Sequence, residues 1–230
     1  PPPPPSIPAH TAAPRLDPNS LTAHAQLVEK TKKGKIDVYF LGDSITRRWG
    51  ATDYPDFLAN WKQNFHGWNA ANFGWGGDQT QHILWRLQNG ELDNVNPKVI
   101  VLQAGTNNIG AGAAAPDVLK GIEAILATLR SKVPNAVIVL TALFPRTDRP
   151  SAPAVIQEVN AALAGLPGVR FLNINDKLTP AMFLDKLHPN LAAYQVWADA
   201  LKPILTEILG PPAAEDQAPP PTGDPSARRP

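Results

Sequence analysis

The 230-residue chain contains no cysteine, a single methionine and a formal net charge of only +1. Without a thiol there can be no disulfide, no thiolate metal site and no cysteine nucleophile. The absence leaves the redox compartment open, because a cysteine-free chain is stable in either. A charge this close to zero implies neither nucleic acid nor an anionic membrane as an obligate partner. No apolar stretch approaches the ~20 residues needed to cross a bilayer. The small basic run Lys30, Lys32, Lys33, Lys35 has no aromatic residues between its charges. It therefore reads as a solvated helix end rather than a binding patch.

Proline is what the chain has in excess: 26 residues, crowded toward the two ends. PPPPPSIPAH at the start and PPAAEDQAPPPTGDPSARRP at the finish carry few bulky apolar side chains. Ordering such segments costs backbone entropy with little burial to offset it. Residues 1–19 and 211–230 are accordingly expected to be Pro-rich tails, and 20–210 to be one domain large enough for a core of its own. The first residue is Pro1, not methionine. That fits a removed export signal followed by a Pro-rich spacer, and equally a boundary chosen for expression. Export, to a secreted or periplasmic setting, is the reading favoured.

Within 20–210 apolar runs alternate with helical patterns. IDVYFL (36–41) and KVIVLQ (98–103) are short, unbroken and rich in β-formers, as strands buried on both faces are. Further strands are expected at 68–73, 136–140 and 169–174. Helices are expected near 20–33, 54–63, 79–88, 116–131, 153–163 and 190–208. Five strands separated by helices imply parallel pairing through right-handed crossovers. The expected fold class is α/β, a three-layer α/β/α sandwich. Functional groups in such sheets gather beyond the carboxyl ends of the strands.

Three strands end there in unusual turns. Gly42-Asp43-Ser44 follows the first, Gly74-Trp75-Gly76-Gly77-Asp78 the second, and Gly105-Thr106-Asn107-Asn108 the third. Ser44 would present its hydroxyl at the rim, but a serine is a poor nucleophile unless a base removes its proton. His188 is the candidate base. Asp185, three residues earlier, is near enough to hold one ring nitrogen and leave the other to accept a proton. Donors for an oxyanion are available from the N–H groups of Ser44 and Gly77 and the amide of Asn107. Each feature alone has an ordinary explanation as a turn former or helix cap. Their coincidence on one rim favours the catalytic reading.

LGDSIT, FGWGGD, GTNN and DKLHPN also resemble the four signature blocks of the SGNH, or GDSL, hydrolase superfamily, in family order over about 150 residues. The stretch NFGWGGDQTQHILWRLQNGELDNVNPKVIVLQAGTNN is similar to the catalytic subunits of intracellular platelet-activating-factor acetylhydrolase and their bacterial relatives. The resemblance implies a flavodoxin-like five-stranded sheet, no cofactor, no metal and hydrolysis of acyl esters. It implies Ser44 as nucleophile, His188 as general base and Asp185 as its orienting carboxylate. Ser44, Gly77 and Asn107 would form the oxyanion hole, with Gly76 the alternative if the glycine block shifts by one.

The ester is less determined. An acetyl or other short acyl group fits the resemblance, carried by an acetylated glycan, an ether phospholipid or another small acyl ester. A thioesterase or acyltransferase would use the same acyl-enzyme. Trp49, Trp75 and Trp85 lie in or near the blocks and could stack on sugar rings, although Trp85 reads better as core. Asp43, Trp75, Asp78 and Arg146 are possible substrate contacts. Asp78 could as well brace or cap a turn. His10, His24, His66 and His82 read as surface or structural. Two other classes compete: a glycan- or protein-binding module that keeps the fold without the reaction, and a nucleotide-binding domain. The second lacks the Gly-x-Gly-x-x-Gly spacing.

Overall fold

A computed structural model describes residues 6–228; Pro1–Pro5 of the N-terminal proline run lie outside it, as do Arg229 and Pro230. Five strands form one parallel sheet: β1 Val38–Gly42, β2 Ala70–Gly74, β3 Val99–Leu102, β4 Val137–Thr141 and β5 Arg170–Leu172. Their spatial order is β2-β1-β3-β4-β5. From β1 the chain moves first to β2 on one side, then returns to β3 on the other. The reversal opens a crevice at the carboxyl ends of β1 and β3, where α/β sheets place their ligands.

Strand side chains alternate between two cores. Tyr39, Leu41, Phe73, Ile100, Leu102, Ile138 and Leu140 face one. Val38, Phe40, Val99, Val101 and Val139 face the other. Helices α1 (Pro18–Lys30), α4 (Thr80–Arg86), α6 (Ala115–Lys132) and α7 (Ala152–Leu163) cover the first face. The second is covered by α2 (Ser44–Gly50), α3 (Pro55–Phe65) and α8 (Leu191–Leu209), and Trp49 packs there between Tyr194 and Trp197. With both faces covered, the central strands β1 and β3 must be apolar throughout, which is why their runs were unbroken. The expected three-layer α/β/α sandwich is the observed one. Two short helices were not expected: α2, beginning at Ser44 itself, and α5 (Thr106–Gly110).

The Pro-rich ends depart from the expectation of free tails. Residues 6–17 lie along the body, burying Ala9 and Ala13 and receiving a bond from the Thr80 hydroxyl to the Ala9 carbonyl at 2.8 Å. Residues 211–228 run back beside β2, an edge of the sheet. There Asp216 accepts from the N–H groups of Gly67 (2.7 Å) and Asn69 (3.2 Å), and the Gln217 carbonyl from that of Lys35 (2.9 Å). These bonds run through backbone groups, which a count of apolar side chains does not register. Lys30 is likewise not solvated. It is 3% exposed, and its Nζ donates to the Asn72 carbonyl (2.8 Å) and to Thr222 (2.9 Å). Burial holds its ammonium down to about 7. Lys32, Lys33 and Lys35 remain exposed.

Candidate active site

Ser44 is the first residue of α2. The preceding Asp43 caps that helix, accepting from the Ile45 N–H at 2.9 Å. The cap turns the chain from strand to helix within one residue and leaves the Ser44 N–H without an intrahelical partner. The hydroxyl of Ser44 lies 2.9 Å from Nε2 of His188, across 144 residues of sequence. On the other side of the ring, Nδ1 lies 2.6 Å from Asp185. A carboxylate only accepts, so the proton sits on Nδ1 and Nε2 is left to accept from the serine.

The loop that delivers the histidine is tightly tied. Asp185 accepts from the backbone N–H of Leu187 (3.1 Å) and of His188 (2.7 Å), and Leu184 donates to the His188 carbonyl at 2.9 Å. Lys186 takes φ of 64° to close the turn, and its carbonyl accepts from the Thr147 N–H at 3.1 Å. Partial burial lowers the imidazole below its ordinary value; the Asp185 bond opposes this, while the Arg48 and Arg146 charges add to it. Partial burial tends to raise Asp185, but the bonds from His188 outweigh that and hold its carboxyl below the usual range. The neutral imidazole is thus the resting form near pH 7.

The glycine and asparagine turns meet beside the serine. The side-chain amide of Asn107 donates to the Asp78 carbonyl at 2.8 Å, which leaves a second N–H of the same amide for another acceptor. Its neighbour Asn108 is buried and instead bonds Thr80 (N–H 2.9 Å) and Gln81 (3.0 Å). Gly77 adopts φ of 80°, a conformation that favours glycine. No backbone carbonyl among the described residues accepts from the N–H of Gly76 or Gly77. A Cβ on Gly76 would come within 3.6 Å of the Ser44 Cβ, so the turn lies against the serine.

Of the residues considered as substrate contacts, three are internal braces. Asp43 is 1% exposed, capping α2, and burial pushes its carboxyl up to about 7. Asp78, also 1% exposed, sits between Arg86 at 2.7 Å and Arg15 at 3.2 Å. Arg146 is 4% exposed, its donors taken by the Thr106 carbonyl (2.7 Å) and by Asp148 (2.6 Å), so it braces the start of α5. A side chain with no free surface cannot meet a substrate. Trp49 belongs to the core for the same reason, and Trp85 packs half-buried against His24 at 4.8 Å. Only Trp75 stays at the rim, half-exposed, its indole N–H donating to Ser20 at 2.8 Å and one ring face carrying the Arg47 guanidinium at 5.3 Å. His24 bonds the buried Glu91 at 2.6 Å, and His82 caps α4 through the Gln79 N–H at 3.0 Å, with burial lowering its ring to about 4.

Sequence reasoning missed Arg15 and Arg48. Arg15 donates to the Gly76 carbonyl, a contact no local pattern signals. Arg48 stands one helical turn after Ser44, half-buried, its guanidinium 5.2 Å over the Tyr54 ring. The i, i+4 spacing from a rim serine within a helix was its available signal.

Known proteins place the chain in a family and a fold. Residues 40–196 match the GDSL-like lipase/acylhydrolase family. The platelet-activating factor acetylhydrolase IB subunit alpha1 of Bos taurus is 33% identical over 217 residues, covering 89% of this chain and 90% of that one. Its Homo sapiens counterpart is 34% identical over 209 residues, covering 86% and 85%. Among solved structures, a GDSL-like lipase from Bacteroides thetaiotaomicron superposes with a TM-score of 0.63 at 20% identity, covering 82% of this chain and all of that one. A carbohydrate esterase family 3 protein from Talaromyces cellulolyticus does so at 0.57 and 19%, covering 75% and 97%. At these identities the superpositions speak for the fold.

Proposed function

Because the chain belongs to the GDSL-like lipase/acylhydrolase family and is a carboxylic ester hydrolase, we propose that it cleaves acetyl and other short-chain acyl esters through an acyl-enzyme on Ser44. The observation that carries this reading is the unbroken chain from the Ser44 hydroxyl through His188 to Asp185, at 2.9 Å and 2.6 Å. Ser44 attacks the ester carbonyl while His188 Nε2 takes its proton, and Asp185 stabilises the imidazolium that results. The oxygen that becomes negative is met by the N–H groups of Ser44 and Gly77 and the second N–H of the Asn107 amide. His188 then returns the proton to the departing alcohol. Water, deprotonated by the same imidazole, releases the acid and restores the serine.

For the alcohol we propose a carbohydrate, with the half-exposed Trp75 at the rim as the surface on which a sugar ring rests. A second reading, an acetyl ester of an ether phospholipid, is favoured by the sequence likeness to acetylhydrolases across 85–90% of their length. A chain-length series from acetyl to octanoyl p-nitrophenyl esters, run beside acetylated xylan and an acetylated ether phospholipid, tests both readings. Ser44→Ala is expected to remove all ester cleavage while leaving the thermal transition in place. Unchanged turnover in that variant excludes the serine mechanism, and a folded parent inert to every ester leaves the binding-module reading in its place.

A further inference from the structure

The glycine turn is the least self-supporting part of the site. Three of its five residues, Gly74 to Asp78, are glycines, which have the most backbone freedom to lose. Its N–H groups make few bonds: Gly74 to the Asn72 side chain at 2.9 Å, Trp75 to the Gly42 carbonyl at 3.1 Å, and, within the turn itself, Asp78 to the Trp75 carbonyl at 3.4 Å. Its remaining ties come from elsewhere, and two come from the N-terminal segment. Arg15 Nη1 donates to the carbonyl of Gly76 and lies 3.2 Å from the Asp78 carboxylate. Ser20 accepts from the Trp75 indole. The two anchors are linked, since Asp17 accepts from the Ser20 hydroxyl at 2.8 Å and lies 3.4 Å from Arg15 Nε. The segment is in turn fixed to the body where Ala13 donates to the Gln81 carbonyl at 3.1 Å.

We propose that Arg15 is a positioning residue that aims the Gly77 N–H at the reacting oxygen. The Gly76 carbonyl and the Gly77 N–H belong to one peptide group. That group is planar and trans, so the two point in opposite directions. Arg15 stands on the outer side of the turn: a Cβ on Gly77 would fall 2.9 Å from its Nη1, whereas a Cβ on Gly76 would face Ser44. Holding the carbonyl outward with a cation therefore turns the N–H inward, to the side where Ser44 stands. The same bond polarises the peptide and strengthens the N–H as a donor. A second effect follows at Asp78, whose carbonyl receives the Asn107 amide. By pairing the Asp78 side chain, Arg15 holds both oxyanion donors to one framework. The residue that does this lies outside the span 40–196 that matches the family.

The inference rests on the esterase reading, and the experiment separates the two. Parent, Arg15→Ala, Arg15→Lys and Ser44→Ala proteins are compared on p-nitrophenyl acetate. Rates are divided by the competent sites counted by end-point titration with a fluorophosphonate, so that partly unfolded protein does not enter kcat. For Arg15→Ala, kcat per titrated site should fall by about 10- to 100-fold, at or below the loss of a full oxyanion donor. KM should move by less than about threefold, because the interaction strengthens only as charge develops. Affinity for a trifluoromethyl ketone, which forms a tetrahedral adduct, should fall in step with kcat. Arg15→Lys keeps a cation but not the fork, and should recover part of the loss. Added methylguanidine should raise the rate of the alanine variant and not that of the parent. An Arg15→Ala enzyme with kcat per site within about twofold of the parent, or one whose whole loss lies in KM, overturns the inference alone. A folded parent inert toward the acetate overturns the esterase reading and this inference with it.

Discussion

The side-chain amide of Asn107 donates to the backbone carbonyl of Asp78 at 2.8 Å, joining the turn after β3 to the turn after β2. Asp78 is held from the other side by Arg86, which also donates to the carbonyls of Phe73 (3.0 Å) and Gly42 (3.1 Å). One buried guanidinium thus ties the ends of β1 and β2 to the turn that Asn107 reaches from β3. This rigidity matters because oxyanion donors help only when they need not move as charge develops.

Asn107→Ala is accordingly expected to lower kcat by roughly 10²-fold while KM stays nearly constant. Steady-state kinetics on a soluble acetyl ester checks it. A defect confined to KM would show that Asn107 binds substrate in its ground state.

The pH profile should follow His188. The base works when neutral, and its burial places it below the ordinary value of 6.5. kcat/KM should therefore rise with pH along a single acid limb centred below 6.5 and be flat through neutrality. Asp185→Asn removes a charge and a bond that raise the imidazole, so the limb should shift lower still while turnover falls by about 10²–10⁴-fold as the ring loses its orienting acceptor. Arg48→Gln removes a charge that lowers it, and should move the limb upward. Equal limbs in parent and Arg48→Gln would mean that the Arg48 charge is screened from the ring.

Asp43 gives the opposite sign in stability. Its carboxyl is pushed from 3.8 up to about 7 by burial, so between those values the folded state holds a proton that the unfolded chain releases. Stability must then fall as pH rises across that window, by up to about 1.4 kcal/mol per pH unit. Asn keeps the oxygen that accepts from the Ile45 N–H and cannot ionise. Asp43→Asn should therefore flatten this slope, raising the melting temperature relative to the parent at pH 7 and converging with it near pH 4. Parallel melting curves at both pH values would exclude an ionising Asp43.

The strands were legible because a sheet covered on both faces demands unbroken apolar runs such as IDVYFL and KVIVLQ. Ser44, His188 and Asp185 were legible as residue types in short turns, and the structure brings them together. What stayed hidden was set by contacts distant in the chain. Lys30 looked solvated because its acceptors, Asn72 and Thr222, lie 42 and 192 positions away. Asp43 and Arg146 looked available because nothing local shows that a rim residue is covered from behind. Helix α2 was hidden by brevity: its seven residues pack against neighbours without completing a second full amphipathic period. Its cap, Asp43 before Ser44, was the signal that could have revealed it.

The C-terminal Pro-rich segment provides a test remote from the chemistry. Its bonds to Lys35, Gly67 and Asn69 lie at the amino ends of β1 and β2, whereas Ser44 follows the carboxyl end of β1. Together with α3 and β2 it encloses a cavity of about 390 Å³, lined by Trp61, Phe65, Ala70 and Asn72 and bordered by Pro219–Pro221. Ending the chain at Gly210 would strip these bonds, leave Lys30 without Thr222 and uncover β2, whose free edge is then a template for pairing with other chains. A handful of hydrogen bonds at roughly 1 kcal/mol each should lower the melting temperature by about 10–20 °C. Sedimentation should show association beyond that of the full chain, while kcat per titrated site stays near the parent value well below the transition. A truncated chain that melts with the parent and stays monodisperse would mean that residues 211–228 lie against the body without stabilising it.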